Sequence, residues 1–155
     1  MIMDTSELEK YMLNDPCIAS LYGGVVPKDI LPEEVQKPKL YIVNLDESSK
    51  KGSHWISLFL LNNAVSEYFD PLGHSPDTFV EKYMEKQSTC YLSNVKQCQS
   101  SFSNSCGKLC LFYCYFRSRG KSLGEILDYF KNNVLYNEAF ILYLLILANW
   151  QKVHI

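Results

Sequence analysis

A cysteine stands at the beginning of a strongly apolar segment of the chain. Cys106 is followed by Gly107 and by residues 108–116, whose composition is typical of a helix buried on nearly all sides. A cysteine in the first turn of such a helix meets unpaired backbone N–H groups and the positive end of the helix dipole, and both favour thiolate over thiol. The same N–H groups can bind a developing oxyanion. The sequence therefore predicts that Cys106 is a nucleophile.

Two predicted strands bring a histidine close to an aspartate. Residues 54–61 and 65–69 have the composition of strands, and the Asn-Asn pair between them tolerates positive φ, which favours an antiparallel hairpin. His54 then begins one strand and Asp70 follows the other, with Cβ atoms ~5 Å apart if the two residues are directly opposite. A carboxylate at that place can hold one imidazole nitrogen while the other nitrogen faces the thiol of Cys106.

A side-chain amide completes the set. Gln99 lies seven residues before Cys106, and its N–H can join the backbone N–H of Cys106 in an oxyanion hole. Each residue alone has an ordinary explanation: a histidine at a strand end is usually a surface residue, an aspartate before proline begins a turn, and a buried cysteine is inert core. The combination, in the order His, Asp, Gln and Cys-Gly, favours a cysteine-protease site.

Composition and charge restrict the class of protein. The length predicts one ordinary domain over residues 1–155, and a hydrophobic fraction of 47% indicates a folded globule. The net charge of −2 does not favour nucleic-acid binding. No secretory signal is predicted, and the longest apolar run, 139–150, is too short to cross a bilayer. We therefore expect a soluble, intracellular protein with its six cysteines reduced.

Capping residues and hydrophobic periodicity predict the remaining elements. Their order is a helix, then a cluster of strands, then helices, which is the α+β class. The predicted elements are a helix at 4–13, a loop at 23–27, a strand at 40–43, a helix with Ser75 as N-cap and Pro76 at its first position, a strand at 90–95, a helix opened by a capping box of Ser122 and Glu125, and a last helix from Asn137 or Glu138.

The motifs around these residues carry a resemblance to a known family. His54-Trp55, the segment 69–73 and the spacing of Gln99 from Cys106 resemble the adenovirus endopeptidase (adenain) family of cysteine proteases. The wider clan of that family includes the SUMO and ubiquitin-like proteases. The resemblance implies an α+β, permuted papain-like fold in which helices flank a small central sheet.

The resemblance also implies a role for each candidate residue. His54 would be the general base and the imidazolium partner of the thiolate, and Asp70 would orient it. Cys106 would be the nucleophile and Gln99 the oxyanion donor, with Gln97 as an alternative whose spacing fits the family less well. Viral members commonly have glutamate at the acid position, so the aspartate here is more similar to the SUMO-protease branch.

Substrates and partners follow from the same resemblance. The segment 22–32 and the short length are similar to adenain-like proteases encoded by Polinton or Maverick transposons and related DNA viruses, which implies a location in the nucleus or the virion. The scissile bond would follow a small residue, often glycine, in a capsid or other precursor protein, with Trp55 and Gly52 contacting the substrate. An isopeptidase for ubiquitin-like modifiers and an inactive binding protein of the same fold are the alternatives.

Activators and cofactors can be judged in the same way. Adenoviral members of the family are activated by a short peptide and by DNA. An activating peptide is compatible with this sequence, and Cys90 and Cys98 lie in the corresponding region, although neither matches the partner position well. Because the chain has no basic surplus, DNA is a doubtful partner. A membrane is not an expected partner, because the longest apolar run is too short to span one.

Two features of the site region allow a second explanation. Trp55 can limit water access to the imidazole, or it can be an ordinary core residue. Cys106, Cys110 and Cys114 recur every four residues, which places them on one helix face. A metal site would call for a CxxC hairpin or a nearby histidine, so packing of small apolar residues is favoured, and no metal or other cofactor is predicted.

Overall fold

A computed structural model of the protein describes residues 3–50, 54–101 and 103–147, without the side chains of 142, 143 and 145–147. The helices are α1 (Thr5–Asn14), α2 (Pro16–Ala19), α3 (Thr78–Gln87), α4 (Cys106–Ser118), α5 (Leu123–Asp128) and α6 (Val134–Leu147). The strands are β1 (Tyr22–Pro27), β2 (Lys39–Asn44), β3 (Trp55–Leu60), β4 (Val65–Phe69) and β5 (Cys90–Ser93), and a 3₁₀ turn at Lys28–Ile30 follows β1.

The five strands form a sheet in chain order, β1-β2-β3-β4-β5. The three central strands are antiparallel, whereas the edge strands β1 and β5 run parallel to their neighbours. Strands β3 and β4 form the predicted hairpin, and the carboxamide oxygen of Asn62 accepts from the N–H groups of Ala64 and Val65 in its turn. Helices flank this central sheet, so the predicted α+β fold class is confirmed.

Helix α4 packs on one face of the sheet and carries the larger core. Every residue from Leu109 to Cys114 is buried, as the nearly uninterrupted apolar run predicts. The ring of Tyr113 stacks on Phe69 of β4, with centroids 5.1 Å apart. Phe112 meets Phe130 edge-on at the same centroid distance of 5.1 Å. These aromatic contacts hold α4 against the end of β4, where Asp70 follows.

The first turn of α4 also lies against helix α1 and the segment before it. A Cβ atom at Gly107 would lie 3.3 Å from Leu8 and from Met3, so the glycine permits this close approach. The carbonyl of Met3 in turn accepts the indole N–H of Trp55 at 3.0 Å. On the opposite face of the sheet, the smaller core is closed by helix α3.

Strand β1 corrects the prediction of a loop at 23–27. The two glycines in this segment suggested a turn, but Gly23 lies in the strand and faces the ring of Tyr41 on β2 so closely that a Cβ atom would overlap the ring carbons. The glycine therefore makes room for a neighbouring aromatic side chain. A close approach of this kind depends on the partner strand, which the local sequence does not reveal.

Two helix starts also differ from the predictions. Helix α3 begins after Asp77, whose carboxylate accepts the N–H of Val80 at 2.8 Å, and not after Ser75, so Pro76 does not occupy the first helical position. The last helix begins at Val134 and not at Asn137 or Glu138, because the side chain of Asn133 accepts two N–H groups of its first turn. The capping box of Ser122 and Glu125 is confirmed.

Replacing Gly23 should test the close contact between β1 and β2. We expect Gly23→Ala to lower the free energy of unfolding by about 1–3 kcal/mol, because the buried ring of Tyr41 would have to move in a filled core. Urea denaturation followed by circular dichroism measures the change. Gly124→Ala is the matched control, since a Cβ atom there meets only the hydroxyl of Ser122 at 3.9 Å. Equal stability of the two variants would contradict the packing described.

Candidate active site

His54 and Asp70 form a hydrogen-bonded pair at the open end of the β3–β4 hairpin. His54 Nε2 lies 2.6 Å from Asp70 Oδ1. The last paired residues of the two strands are Ser57 and Phe69, so His54 lies three residues beyond the ladder and Asp70 one residue beyond it. The two side chains therefore meet diagonally and not directly across the ladder. The predicted proximity is confirmed, and the contact is made by the side chains reaching past the strand ends.

A tight turn holds the carboxylate of Asp70 in place. The side chain of Asp70 is 1% exposed, and its Oδ1 atom also accepts the N–H of Leu72 at 2.8 Å. The N–H of Gly73 donates to the carbonyl of Asp70 at 2.8 Å, and Gly73 has a φ of +75°, which disfavours other residues. A Cβ atom at Gly73 would also lie 3.0 Å from backbone atoms of residues 95–97. The turn is thus fixed both by its own geometry and by the backbone beneath it.

The imidazole of His54 joins this carboxylate to the thiol of Cys106. Because Nε2 bonds to Asp70, the other ring nitrogen is the one available to Cys106, which lines the same cleft. Burial opposes the charged imidazolium, but the hydrogen bonds and charges of Asp70 and Cys106 outweigh it and raise the pKa of His54 to about 9. The histidine is therefore predominantly protonated at neutral pH.

The pKa of the Cys106 thiol is shifted in the opposite direction, downwards. Burial alone would raise its pKa, but the hydrogen bond from His54 and those from the backbone N–H groups of Trp55 and Gly107 lower the pKa below its ordinary value. Cys106 is the first residue of α4, as predicted. The hydroxyl of Ser105, at the N-cap, accepts from Ser103 and does not cap the N–H groups of the first turn. The lowered pKa of Cys106 and the raised pKa of His54 both favour transfer of the thiol proton to the imidazole.

The amide of Gln99 reaches the same cleft. Gln99 is 2% exposed, and its Nε2 atom donates to the carbonyl of Ser103 at 2.7 Å. An amide nitrogen carries two hydrogens, so one N–H remains for a further acceptor. The alternative residue, Gln97, donates its own amide to the carbonyl of Gln99 at 2.7 Å. The structure therefore brings Gln99 to the cleft and uses Gln97 to support it.

Two depressions lie in this region. A cleft of about 250 Å³ contains both His54 and Cys106. A second cleft, of about 310 Å³, has Trp55 in its wall. The first is lined by His54, Leu72, Gln99, Ser101, Ser103, Asn104 and Cys106.

Trp55 belongs to the core and to the wall of the second cleft. It is 6% exposed and packs in the same cluster as Cys106, and its indole N–H is held by the carbonyl of Met3. Both explanations offered by the sequence are therefore compatible with its position, and its contact with a substrate stays a prediction. Gly52, the other residue predicted to contact substrate, lies outside the described residues.

Two other cysteines of α4, Cys110 and Cys114, differ from Cys106 in their environment. All six cysteines are free thiols. Cys110 and Cys114 are fully buried on α4, and burial raises the pKa of Cys114 to about 12 and that of Cys110 well above its ordinary value. They pack near the hydroxyl of Ser57, which supports the packing explanation for their spacing. Among the described residues no group of three or more histidine, cysteine or acidic side chains has the arrangement of a metal site.

Two contacts behind the site were not anticipated from the sequence. The carboxamide of Asn94 bonds to the backbone N–H and carbonyl of Asp70, at 2.8 and 2.7 Å. The carbonyl of Pro71 accepts the N–H groups of Cys98 and Gln99, at 2.8 and 3.0 Å. An asparagine after a short strand is usually read as a turn residue, and a backbone carbonyl leaves no signal in the sequence. Both contacts join segments distant along the chain.

Comparisons with known proteins identify the fold. No protein-family model and no curated protein matches the chain. Among solved structures, the ASFV pS273R protease superposes with a TM-score of 0.66 at 14% identity, covering 88% of this chain and 64% of that one. Its Se-Met crystal structure gives a TM-score of 0.51 at 24% identity, over 69% and 44%. The central domain of the uncharacterized Lpg1148 protein from Legionella pneumophila gives 0.57 at 14% identity, over 98% and 97%.

These likenesses define the class of fold. The chain has the mixed α+β fold of the ASFV pS273R protease, and it spans about 64% of the length of that protein. At 14% identity the likeness extends to the fold and to no named activity. In the parts of the chain that the structure covers, every helix is too short or too polar to cross a membrane.

The rate of alkylation should reveal the thiolate of Cys106. An ordinary thiol loses reactivity about tenfold per pH unit below a pKa of about 8.5, whereas a thiolate held by an imidazolium keeps its reactivity to lower pH. We expect iodoacetamide to label Cys106 at a nearly constant rate from neutral pH to about pH 9, where His54 loses its proton. Mass spectrometry of the labelled peptides measures the rate at each pH.

Glutathione labelled in the same solutions is the control for that experiment, because a free thiol in water loses reactivity as the pH falls. In a His54→Ala variant, the labelling of Cys106 should lose its plateau, because the imidazolium would then no longer act against the burial of the thiol. A profile of Cys106 that follows that of glutathione in the wild-type protein would contradict the ion pair.

Proposed function

We propose that this chain is a cysteine endopeptidase. The observation that supports the proposal most strongly is His54, which bonds to the buried carboxylate of Asp70 and lines the same cleft as the thiol of Cys106. A nucleophile whose base is oriented by a third group is the arrangement that acyl transfer requires. The fold shared with a protease adds independent support.

The reaction follows from the positions of these groups. The thiolate of Cys106 attacks the scissile carbonyl carbon and forms a tetrahedral intermediate. Its oxyanion accepts hydrogen bonds from the backbone N–H of Cys106 and from the second N–H of Gln99. As the C–N bond breaks, the imidazolium of His54 gives its proton to the leaving amine, and a thioester remains. His54 then takes a proton from water, and the hydroxide releases the acid and restores the thiolate.

The substrate proposal is narrower than the reaction. We propose cleavage after a small residue such as glycine in viral or transposon-encoded precursor proteins, as for adenain-type proteases of Polinton elements, with a place in the nucleus or the virion. The support lies in Trp55, whose ring is buried and held by Met3, so the wall of the adjacent cleft is rigid. A rigid wall at this position favours a substrate whose residue beside Trp55 has a small side chain.

The second candidate is an isopeptidase for ubiquitin-like modifiers. The observation in its favour is the acid, because Asp70 and not glutamate holds the imidazole. Such modifiers end in Gly-Gly, so both candidates use the same narrow site. The same experiment separates them by the substrates offered.

Removal of the nucleophile tests the proposed activity. We expect Cys106→Ala to lower kcat by about 10⁴-fold or more for the best substrate of a peptide library, with the circular dichroism spectrum unchanged. SUMO and ubiquitin fusions are offered in parallel, and Cys90→Ala is the control for loss of a thiol away from the cleft. Cleavage retained by the Cys106→Ala variant would refute the assignment, and cleavage of fusions alone would favour the isopeptidase.

Removal of the oxyanion donor tests the role of Gln99. We expect Gln99→Ala to lower kcat by about 10²–10³-fold with little change in KM, because the side-chain N–H acts on charge that develops only in the transition state. Gln97→Ala is the matched control, since its amide supports the carbonyl of Gln99 and does not face the cleft. Steady-state kinetics on the same peptide measures both. A larger loss in the Gln97 variant would reassign the donor.

A further inference from the structure

We propose that Asn94 is a positioning residue of this site, whose carboxamide fixes the backbone of Asp70 and thereby aims the carboxylate at His54. The inference rests on the proposed function for its consequence and on contacts in the structure for its geometry. Asn94 follows β5 directly, on the parallel neighbour of the strand that leads into Asp70. Nothing in its type or spacing relates it to the nucleophile.

Each polar atom of the Asn94 side chain has a backbone partner. Its Oδ1 atom accepts the N–H of Asp70 at 2.8 Å. Its Nδ2 atom donates to the carbonyl of Asp70 at 2.7 Å and to the carbonyl of Lys96 at 3.0 Å. The carboxamide therefore holds the peptide groups on both sides of the Asp70 Cα atom, as a paired strand would, and it uses both of its amide hydrogens to do so.

Burial makes these bonds hard to replace. Asn94 and Asp70 are each 1% exposed, so water has no ready access to the backbone groups of Asp70 if the carboxamide is removed. A buried N–H and carbonyl left without partners favour a rotation of the backbone that finds new ones. Any such rotation at Asp70 moves its carboxylate relative to the imidazole, since the strand ladder ends at Phe69.

The same carboxamide connects the acid to the oxyanion donor. Its bonds to Asp70 tie the turn to the segment 94–99, its bond to Lys96 holds that segment locally, and Gly73 lies against the backbone of the segment. At the far end of the segment, the carbonyl of Pro71 accepts the N–H of Gln99. The turn and the segment are thus joined at both ends, so a shift of Asp70 also shifts Gln99.

Two substitutions at Asn94 test the proposal. Asn94→Asp keeps the shape and the acceptor for the N–H of Asp70 but turns a carboxylate oxygen towards two carbonyls. Asn94→Ala removes all three bonds. Asn62→Ala is the matched control, because the side chain of Asn62 also bonds to the backbone, accepting two N–H groups at the opposite end of the hairpin. Thermal unfolding followed by circular dichroism gives the loss of stability for each variant.

The readouts report on the site and not on stability. For the Asn94 variants we expect kcat on the best library peptide to fall about 10- to 100-fold with KM nearly unchanged, since a misplacement on the scale of 1 Å can cost this much. In the wild-type protein the constant labelling rate of Cys106 should end at about pH 9, where His54 loses its proton. In the Asn94 variants we expect this end point to move down towards the ordinary pKa of histidine. The Asn62 variant should keep the wild-type kcat and the wild-type labelling profile.

The outcomes separate a failure of this inference from a failure of the proposed function. A variant of Asn94 that melts earlier but keeps the wild-type labelling profile and kcat would overturn the positioning role and leave the protease intact. Should the wild-type protein cleave no peptide, the labelling profile and a pH titration of the His54 ring by NMR still decide the role of Asn94. If the alanine variant does not fold, the aspartate variant decides by the same measurements.

Discussion

The buried negative charge of Asp70 is the constraint on which the site depends. A carboxylate that is 1% exposed is costly unless it is paired and hydrogen-bonded. One of its oxygens meets the imidazole of His54, which precedes the hairpin, and the N–H of Leu72, which follows it. The charge is therefore stabilised only when the hairpin is closed and the turn after Asp70 packs on the segment 94–99. The same requirement that stabilises the fold locally also fixes the position of the His54 ring.

Helix α4 shows how environment decides the chemistry of identical residues. Cys106, Cys110 and Cys114 share one helix face, yet the pKa of the first is lowered and those of the other two are raised. The last two lie inside the core, where burial raises the pKa and the hydroxyl of Ser57 only partly offsets it. The first lies at the helix start, where an imidazolium and backbone N–H groups outweigh burial. The apolar run after Cys106 anchors α4 on the sheet, so the packing of the core places the reactive thiol.

The parts of the molecule that the sequence predicted correctly are those governed by local chemistry. The turn at Asn62, the capping box at Ser122 and the start of α4 at Cys106 are confirmed, because a cap or a turn is decided by residues a few positions apart. The contact of His54 with Asp70 was predictable because the pairing of two strands in a hairpin determines which of their residues are neighbours. Each of these predictions depended only on residues close to one another in the sequence or in one hairpin.

The features that the sequence did not reveal depend on partners far along the chain. Gly23 suggested a turn because the ring of Tyr41, which explains it, lies on another strand. Asp77, and not Ser75, is the N-cap of α3, and the carboxylate of Asp77 also pairs with Lys28. Asn94 bonds to a residue 24 positions away, and its own neighbours give no sign of that contact. Tertiary contacts, and not weak local signals, account for these differences.

The packing of Met3 and Leu8 against Gly107 has a consequence for biosynthesis. A ribosome releases the hairpin that bears the histidine and the aspartate well before the helix that bears the sulfur, and a domain folds as a unit once its segments are available. The site of His54, Asp70 and Cys106 is therefore complete only after that helix has left the exit tunnel and packed against α1. Until then, a growing nascent chain holds the imidazole and the carboxylate without the sulfur.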